Sequence, residues 1–179
     1  MLNKESAILI VVDVQEKLAG LMSQKEGLFK GLERMVKGFE ILGLPIICLE
    51  QVPDKLGETI LQVAAAISDF KPISKSSFSC MGSTQFINAL EKTGRKQVIL
   101  VGIEAHICVY QSATHLLEND YEVTVISDAV SSRQDSNKSI ALDRMSHLGA
   151  SISSVEMSLF ELLESADAPN FRSIASLIK

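Results

Sequence analysis

Asp13 directly follows the apolar run Ala7-Ile-Leu-Ile-Val-Val12. A carboxylate at the mouth of a buried strand is partly desolvated and can accept or donate a proton, although the same position also suits an Asp that caps the next turn. Cys108 stands in Val101-Gly-Ile-Glu-Ala-His-Ile-Cys108, where a second apolar run turns into a helical pattern carrying Val109, Ala113 and Leu116. Unpaired N–H groups and the dipole at a helix N-terminus favour thiolate over thiol, lowering a pKa that starts at about 8.5. The competing reading of Cys108 is a small buried hydrophobe. Lys75, in Pro72-Ile-Ser-Lys75-Ser-Ser-Phe78, reads as a loop lysine, and such a residue is ordinarily a solvated charge. Spacing does not bring it to Cys108, but an ammonium placed there would stabilise a thiolate and polarise a carbonyl. Cys48 lies inside a strand pattern and reads as core; Cys80 lies in a loop after Phe78.

Other chemistries lack their residues. No glycine follows the first strand, so the dinucleotide fingerprint and the P-loop are both missing and no nucleotide cofactor is expected. Only His106, His115 and His147 are present, with no H-E-x-x-H, no C-x-x-C and no G-x-S-x-G, so no metal site and no serine elbow are expected. Seventeen Lys and Arg against 22 Asp and Glu leave a charge of −5, which offers no general attraction to nucleic acid or to an anionic membrane. Three widely spaced cysteines suggest reduced thiols in a cytoplasmic protein rather than a disulfide framework. The opening apolar run is too short for a signal-peptide core or a membrane span, so the mature chain is expected to begin at or near Met1.

The elements that must position these residues follow from periodicity. Ala7–Val12, Pro45–Leu49, Gln97–Val101 and Glu122–Ile126 are apolar runs of the kind found in parallel strands buried on both faces, with weaker candidates at Phe70–Ile73 and Ala150–Ser154. Between them, Leu28, Leu32, Met35, Val36, Phe39 and Leu42 recur at helical spacing; so do Phe86, Ile87 and Leu90, then Val109 to Leu117, then Ala141 to Leu148. Regular alternation without a linker predicts one α/β domain over residues 1–179, built in three layers on a mostly parallel sheet. Its polar strand ends are where such sheets open their ligand crevice. Gln51–Gly57 and Lys71–Gly82 read as irregular loops that could line it.

The segments Val12-Asp13-Val14-Gln15, Ser74-Lys75-Ser-Ser-Phe78-Ser79, Gly102-Ile-Glu-Ala-His-Ile-Cys108-Val109 and Ile126-Ser-Asp-Ala-Val-Ser-Ser-Arg133, in this order, resemble the isochorismatase-like cysteine hydrolase superfamily over nearly the whole chain. The form of the third segment, with Gln51 and Leu56-Gly57, is most similar to the isochorismatase-domain-containing subgroup. The resemblance implies a Rossmann-like α/β/α fold with a six-stranded parallel sheet of order 3-2-1-4-5-6. It also implies a catalytic triad: Asp13 takes the thiol proton, Lys75 stabilises negative charge and Cys108 attacks the substrate carbonyl. A cis peptide between Ile103 and Glu104 is implied too, aiming the N–H groups of Glu104 and Cys108 into an oxyanion hole. Leu18, Gln51, Phe78 and His106 are candidates to line the pocket, Asp128 to cap the next loop and Arg133 to pair with Asp128.

Two departures from the family narrow the expectation. The stretch Glu50-Gln-Val-Pro-Asp-Lys55 has no histidine where nicotinamidases place metal ligands, which disfavours nicotinamide and a metal. Enzymes that cleave isochorismate lack the nucleophilic cysteine, so Cys108 points to acyl transfer. The expectation is therefore a hydrolase of a small amide, working through a Cys108 thioester without a cofactor and assembling as a homo-oligomer. The alternatives are a binding or scaffold protein of the same fold and a redox-responsive thiol protein.

Overall fold

The computed structural model describes residues 1–179. Six strands, β1 (Ala7–Val12), β2 (Ile46–Gln51), β3 (Ile73–Lys75), β4 (Gln97–Ile103), β5 (Glu122–Ser131) and β6 (Ser151–Ser153), form one sheet of order β3-β2-β1-β4-β5-β6. Every pairing is parallel, in the order the resemblance implied. The helices are α1 (Glu16–Ala19), α2 (Lys25–Leu42), α3 (Pro53–Leu56), α4 (Leu61–Ala64), α5 (Thr84–Thr93), α6 (Tyr110–Glu118), α7 (Asp135–His147), α8 (Val155–Leu163) and α9 (Phe171–Ile178).

The run Ala7–Val12 is apolar throughout because both of its faces are covered. Its side chains alternate: Ala7, Leu9 and Val11 join the core under α2, α8 and α9, whereas Ile8, Ile10 and Val12 join the core under α5, α6 and α7. Each fully buried Ile or Leu removed from water contributes about 1.5–3 kcal/mol, so the centre of the sheet is a rigid base for whatever stands at its ends.

β1 lies between β2 and β4, and the chain leaves β1 and β4 toward opposite faces. That divergence opens a crevice at the carboxyl ends of these strands, next to Asp13. β4 approaches β1 closely there. A β-carbon on Gly102 would lie 2.1 Å from the Val12 carbonyl oxygen, and the Gly102 φ of +115° is one that L side chains rarely adopt. Gly102→Ala is expected to cost about 3 kcal/mol or more through overpacking and backbone strain. The urea midpoint reads this out, and a shift equivalent to less than about 0.5 kcal/mol would contradict it.

Several elements differ from the sequence expectation. β4 and β5 run past Val101 and Ile126, so Asp128 lies within a strand and not after it. The third strand begins at Ile73 and ends on Lys75, which makes that lysine a strand residue rather than a loop residue. Gln51–Gly57 contains the short helix α3, started by Pro53 at its first position. Cys108 lies in a single π-helical turn, Ala105–Val109, that precedes α6, and not in the first turn of α6 itself.

Candidate active site

The strand ends bring Asp13, Lys75 and Cys108 to one place. Asp13 leaves β1 with φ +52°, a left-handed conformation that Asp and Asn tolerate better than most residues. Its N–H donates to the Leu49 carbonyl at 3.1 Å, tying the turn to β2. Lys75 reaches across from β3, and its ammonium donates to Asp13 Oδ2 at 2.6 Å and to Gln51 Oε1 at 2.7 Å. The same nitrogen lies 3.1 Å from each of the Ser77 and Phe78 carbonyl oxygens. Both partners of the ion pair are buried, with side chains 0% and 1% exposed. The other carboxylate oxygen, Asp13 Oδ1, is buried with no hydrogen-bond partner. Cys108 lies close enough to Asp13 for the two groups to shift each other's titration.

Burial raises the Asp13 carboxyl above its ordinary value, and the Lys75 charge only partly offsets this. Burial likewise pushes the Cys108 thiol up to about 12, with the Asp13 charge adding to the effect and Lys75 opposing it. The expected lowering of the Cys108 pKa by a helix N-terminus is therefore corrected: the resting sulfur is a thiol. Desolvation outweighs the dipole, and the ammonium that would favour thiolate is already spent on four acceptors with its three N–H bonds. Burial also raises Cys48, to about 12, and Cys80, to about 11.

For all three thiols the folded pKa lies above the unfolded value of about 8.5, so the folded state holds protons that the unfolded chain releases in alkali. Their contribution to stability is complete below about pH 8.5 and is lost as pH rises from there through about 12. The urea midpoint is accordingly expected to fall between pH 8 and pH 11, and to fall less in Cys48→Ala. A flat midpoint over that range would contradict the burial of these groups.

Neighbouring polar groups hold the site in register. Gln15, fully buried, donates from Nε2 to the carbonyls of Gln51 (3.1 Å) and Gly57 (2.6 Å), while its Oε1 accepts the Gln51 N–H at 2.8 Å. Gln51 in turn donates to the Ser76 carbonyl at 2.7 Å. Buried Glu50 accepts from the N–H and hydroxyl of Thr59, both at 2.8 Å. The Ile103–Glu104 peptide is cis. The Glu104 N–H finds no acceptor within the chain, while its carboxylate accepts from the Arg133 N–H at 3.0 Å and from Arg133 Nε at 3.1 Å.

A cavity of about 140 Å³ opens above Cys108, lined by Asp13, Leu18, Gln51, Leu56, Phe78, Ile103, Glu104, Ile107 and Cys108. Of the four candidate pocket residues, Leu18, Gln51 and Phe78 line this cavity. His106 does not: its Nδ1 pairs with Ser132 Oγ at 2.9 Å, and it lines a separate depression with Tyr110 and Arg144. Arg133 pairs with Glu104 rather than Asp128, because Asp128 lies within β5 and accepts the Val155 N–H at 2.8 Å, capping α8. Gln15, Leu56, Ile107 and the Glu104 carboxylate were not singled out from sequence. The one signal for Gln15 was its place two residues beyond Asp13. No three His, Cys, Asp or Glu side chains converge as a cation site, and no helix is long and apolar enough to cross a membrane.

Comparison with known proteins agrees with this architecture. The sequence model of the isochorismatase domain matches residues 7–157. The isochorismatase domain-containing protein 2 of Danio rerio is 34% identical over 177 residues, covering 99% of this chain and 89% of its own. The secreted isochorismatase effector Isc1 of Phytophthora sojae (strain P6497) is 37% identical over 180 residues, covering 97% and 85%. The solved structure of MAR1 ribonuclease from Caenorhabditis elegans superposes with a TM-score of 0.93 at 34% identity, covering 99% of this chain and 91% of its own. With a domain match over most of its length and relatives at this identity along all of it, the chain belongs to the isochorismatase family of hydrolases.

Proposed function

We propose that the protein cleaves the C–N bond of a small amide, with Cys108 as nucleophile, Asp13 as base and Lys75 as the cation that holds Asp13. The observation that carries this reading is the Asp13 carboxylate: one oxygen is fixed by Lys75, the other is buried without a partner, and the Cys108 thiol is near enough to interact with the group. An adjacent base removes the need for a resting thiolate. When substrate enters, Cys108 Sγ bonds to the carbonyl carbon as its proton passes to Asp13. The carbonyl oxygen becomes an oxyanion, received by the Glu104 and Cys108 N–H groups, each worth about 3 kcal/mol of barrier. Collapse breaks the C–N bond, and the nitrogen leaves as ammonia with the proton from Asp13. Water then attacks the thioester and gives a proton to Asp13. A second collapse releases the carboxylic acid, and the departing thiolate recovers its proton from Asp13.

The test is ammonia release from a panel of small amides. Release from at least one, lost in Cys108→Ala, is the expected result. No release from any amide, with Cys108 alkylated no faster than Cys48 or Cys80, would favour a binding or scaffold role. Cys108-dependent peroxide consumption without hydrolysis would favour a redox-responsive thiol.

The name of the Caenorhabditis elegans relative brings a rival substrate, RNA. Against it stand the −5 net charge and the buried carboxylates of Asp13 and Glu104 in the cavity wall, which repel a polyanion. A single-stranded RNA incubated with the protein is expected to remain intact. Its cleavage, abolished by Asp13→Asn, would replace the amide reading.

A further inference from the structure

We infer that the pocket over Cys108 selects an uncharged carbonyl compound with a short apolar acyl chain and rejects carboxylates and phosphates. The inference rests on the reading of Cys108 as the reacting group and adds the class of ligand that reaches it.

The first argument is charge. A site built for an anionic substrate presents a free cation to it, and this one has none. Lys75 is not among the residues lining the cavity, and its three N–H bonds are shared among Asp13, Gln51 and the carbonyls of Ser77 and Phe78. Arg133 is half exposed, faces the Glu104 carboxylate and does not line the cavity. The lysines next to lining residues, Lys17 and Lys55, are exposed and also lie outside the lining; the Lys17 ammonium donates to the Lys55 carbonyl at 2.6 Å. Against Lys75 and Arg133 stand the carboxylates of Asp13 and Glu104, both nearly buried and both lining the cavity, so the site holds no surplus positive charge. An anion entering here would lose its water and meet like charge, and both effects oppose its binding.

The second argument is shape and surface. Leu18, Leu56, Phe78, Ile103 and Ile107 make most of the wall, and Asp13, Gln51 and Glu104 are the polar residues among the lining, with Cys108. A ligand that fits presents one polar carbonyl end to the sulfur and a hydrocarbon remainder to the wall. At about 140 Å³ the space matches a compact ligand of about benzene size, for which an apolar cavity of about 150 Å³ suffices. A branched four-carbon amide such as isobutyramide meets both conditions.

Alkylation of Cys108 tests this without requiring turnover. Iodoacetamide and iodoacetate are near-isosteres differing in charge, and each transfers its carbon to sulfur with loss of iodide while the thiol proton leaves through Asp13 to solvent. Labelling is followed by mass spectrometry at pH 8, with glutathione as the reference thiol. The ratio of iodoacetamide to iodoacetate rates at Cys108 is expected to exceed the glutathione ratio by about tenfold or more. Isobutyramide should slow the labelling, while isobutyrate at equal concentration should not. Phe78→Arg, which places a cation at the exposed rim, should bring the ratio back toward that of glutathione. A wild-type ratio equal to that of glutathione, protection by isobutyrate, or labelling of Cys48 and Cys80 ahead of Cys108 would each overturn the inference. Selective labelling by a protein that releases no ammonia from any amide would sink the amidase reading and leave this one standing.

Discussion

Cys108→Ala is expected to lower amide turnover by about 10⁴-fold or more, the usual consequence of removing a covalent nucleophile from a preorganised site. The loss should appear in kcat with little change in KM, because the cavity walls are untouched. The fold should survive, since Cys108 belongs to a core cluster of 21 buried residues and loses only its sulfur. Cys108→Ser should be nearly as inactive. Turnover within tenfold of wild type in Cys108→Ala would exclude a thioester route. In the intact protein, the raised Asp13 carboxyl places the acid limb of the pH–rate profile above the ordinary carboxylate range, since Asp13 must be ionised to accept the thiol proton. Asp13 and Cys108 titrate as a coupled pair, so the two limbs belong to the pair and not to single residues.

Lys75→Met is the second large effect, this time on stability as well as rate. Methionine keeps an unbranched chain in the buried position but leaves the Asp13 carboxylate, the Gln51 amide oxygen and two carbonyls without their donor. Breaking a buried ion pair from one side costs about 3–5 kcal/mol at neutral pH. The sign of its pH dependence follows from Asp13. Already raised in the intact protein, its folded pKa rises further without the ammonium. The folded variant then holds a proton that the unfolded chain lacks, so stability is regained as pH falls below that raised value and is lost as pH rises through it. The urea midpoint deficit of Lys75→Met should therefore shrink between pH 7 and pH 5. Adding Asp13→Asn, which suits the same left-handed backbone, should recover part of it at pH 7. A deficit that does not change with pH, and is not reduced by Asp13→Asn, would show that the ion pair is not what Lys75 supplies.

Asp13 and Cys108 were legible in the sequence because each follows a long apolar run, and a buried strand announces its own end. The alternation of runs with helical periods likewise gave the layers, while the strand order came from the family resemblance. Lys75 was not legible from physics, because β3 has three residues, with Ser74 exposed between Ile73 and Lys75, and no run of that length stands out from a loop. Gln15 escaped for a different reason: its partners are backbone groups 36 and 42 residues away, which no local pattern encodes. The titration of Cys108 was misjudged because position near a helix start is visible in sequence, whereas the depth of burial that outweighs it is not. The pairing of Arg133 with Glu104 depended on β5 running on to Ser131, a strand end blurred by the polar residues Ser127 and Asp128.

Lys75 sits at the last position of β3, the outermost strand on its side of the sheet, with β2 as its one neighbour. Short margins of a sheet fray before its middle melts. Each such fraying event withdraws the ammonium while β1 and β4 stay intact, so on warming the molecule should fall silent as a catalyst well before its spectroscopic signature of folding disappears.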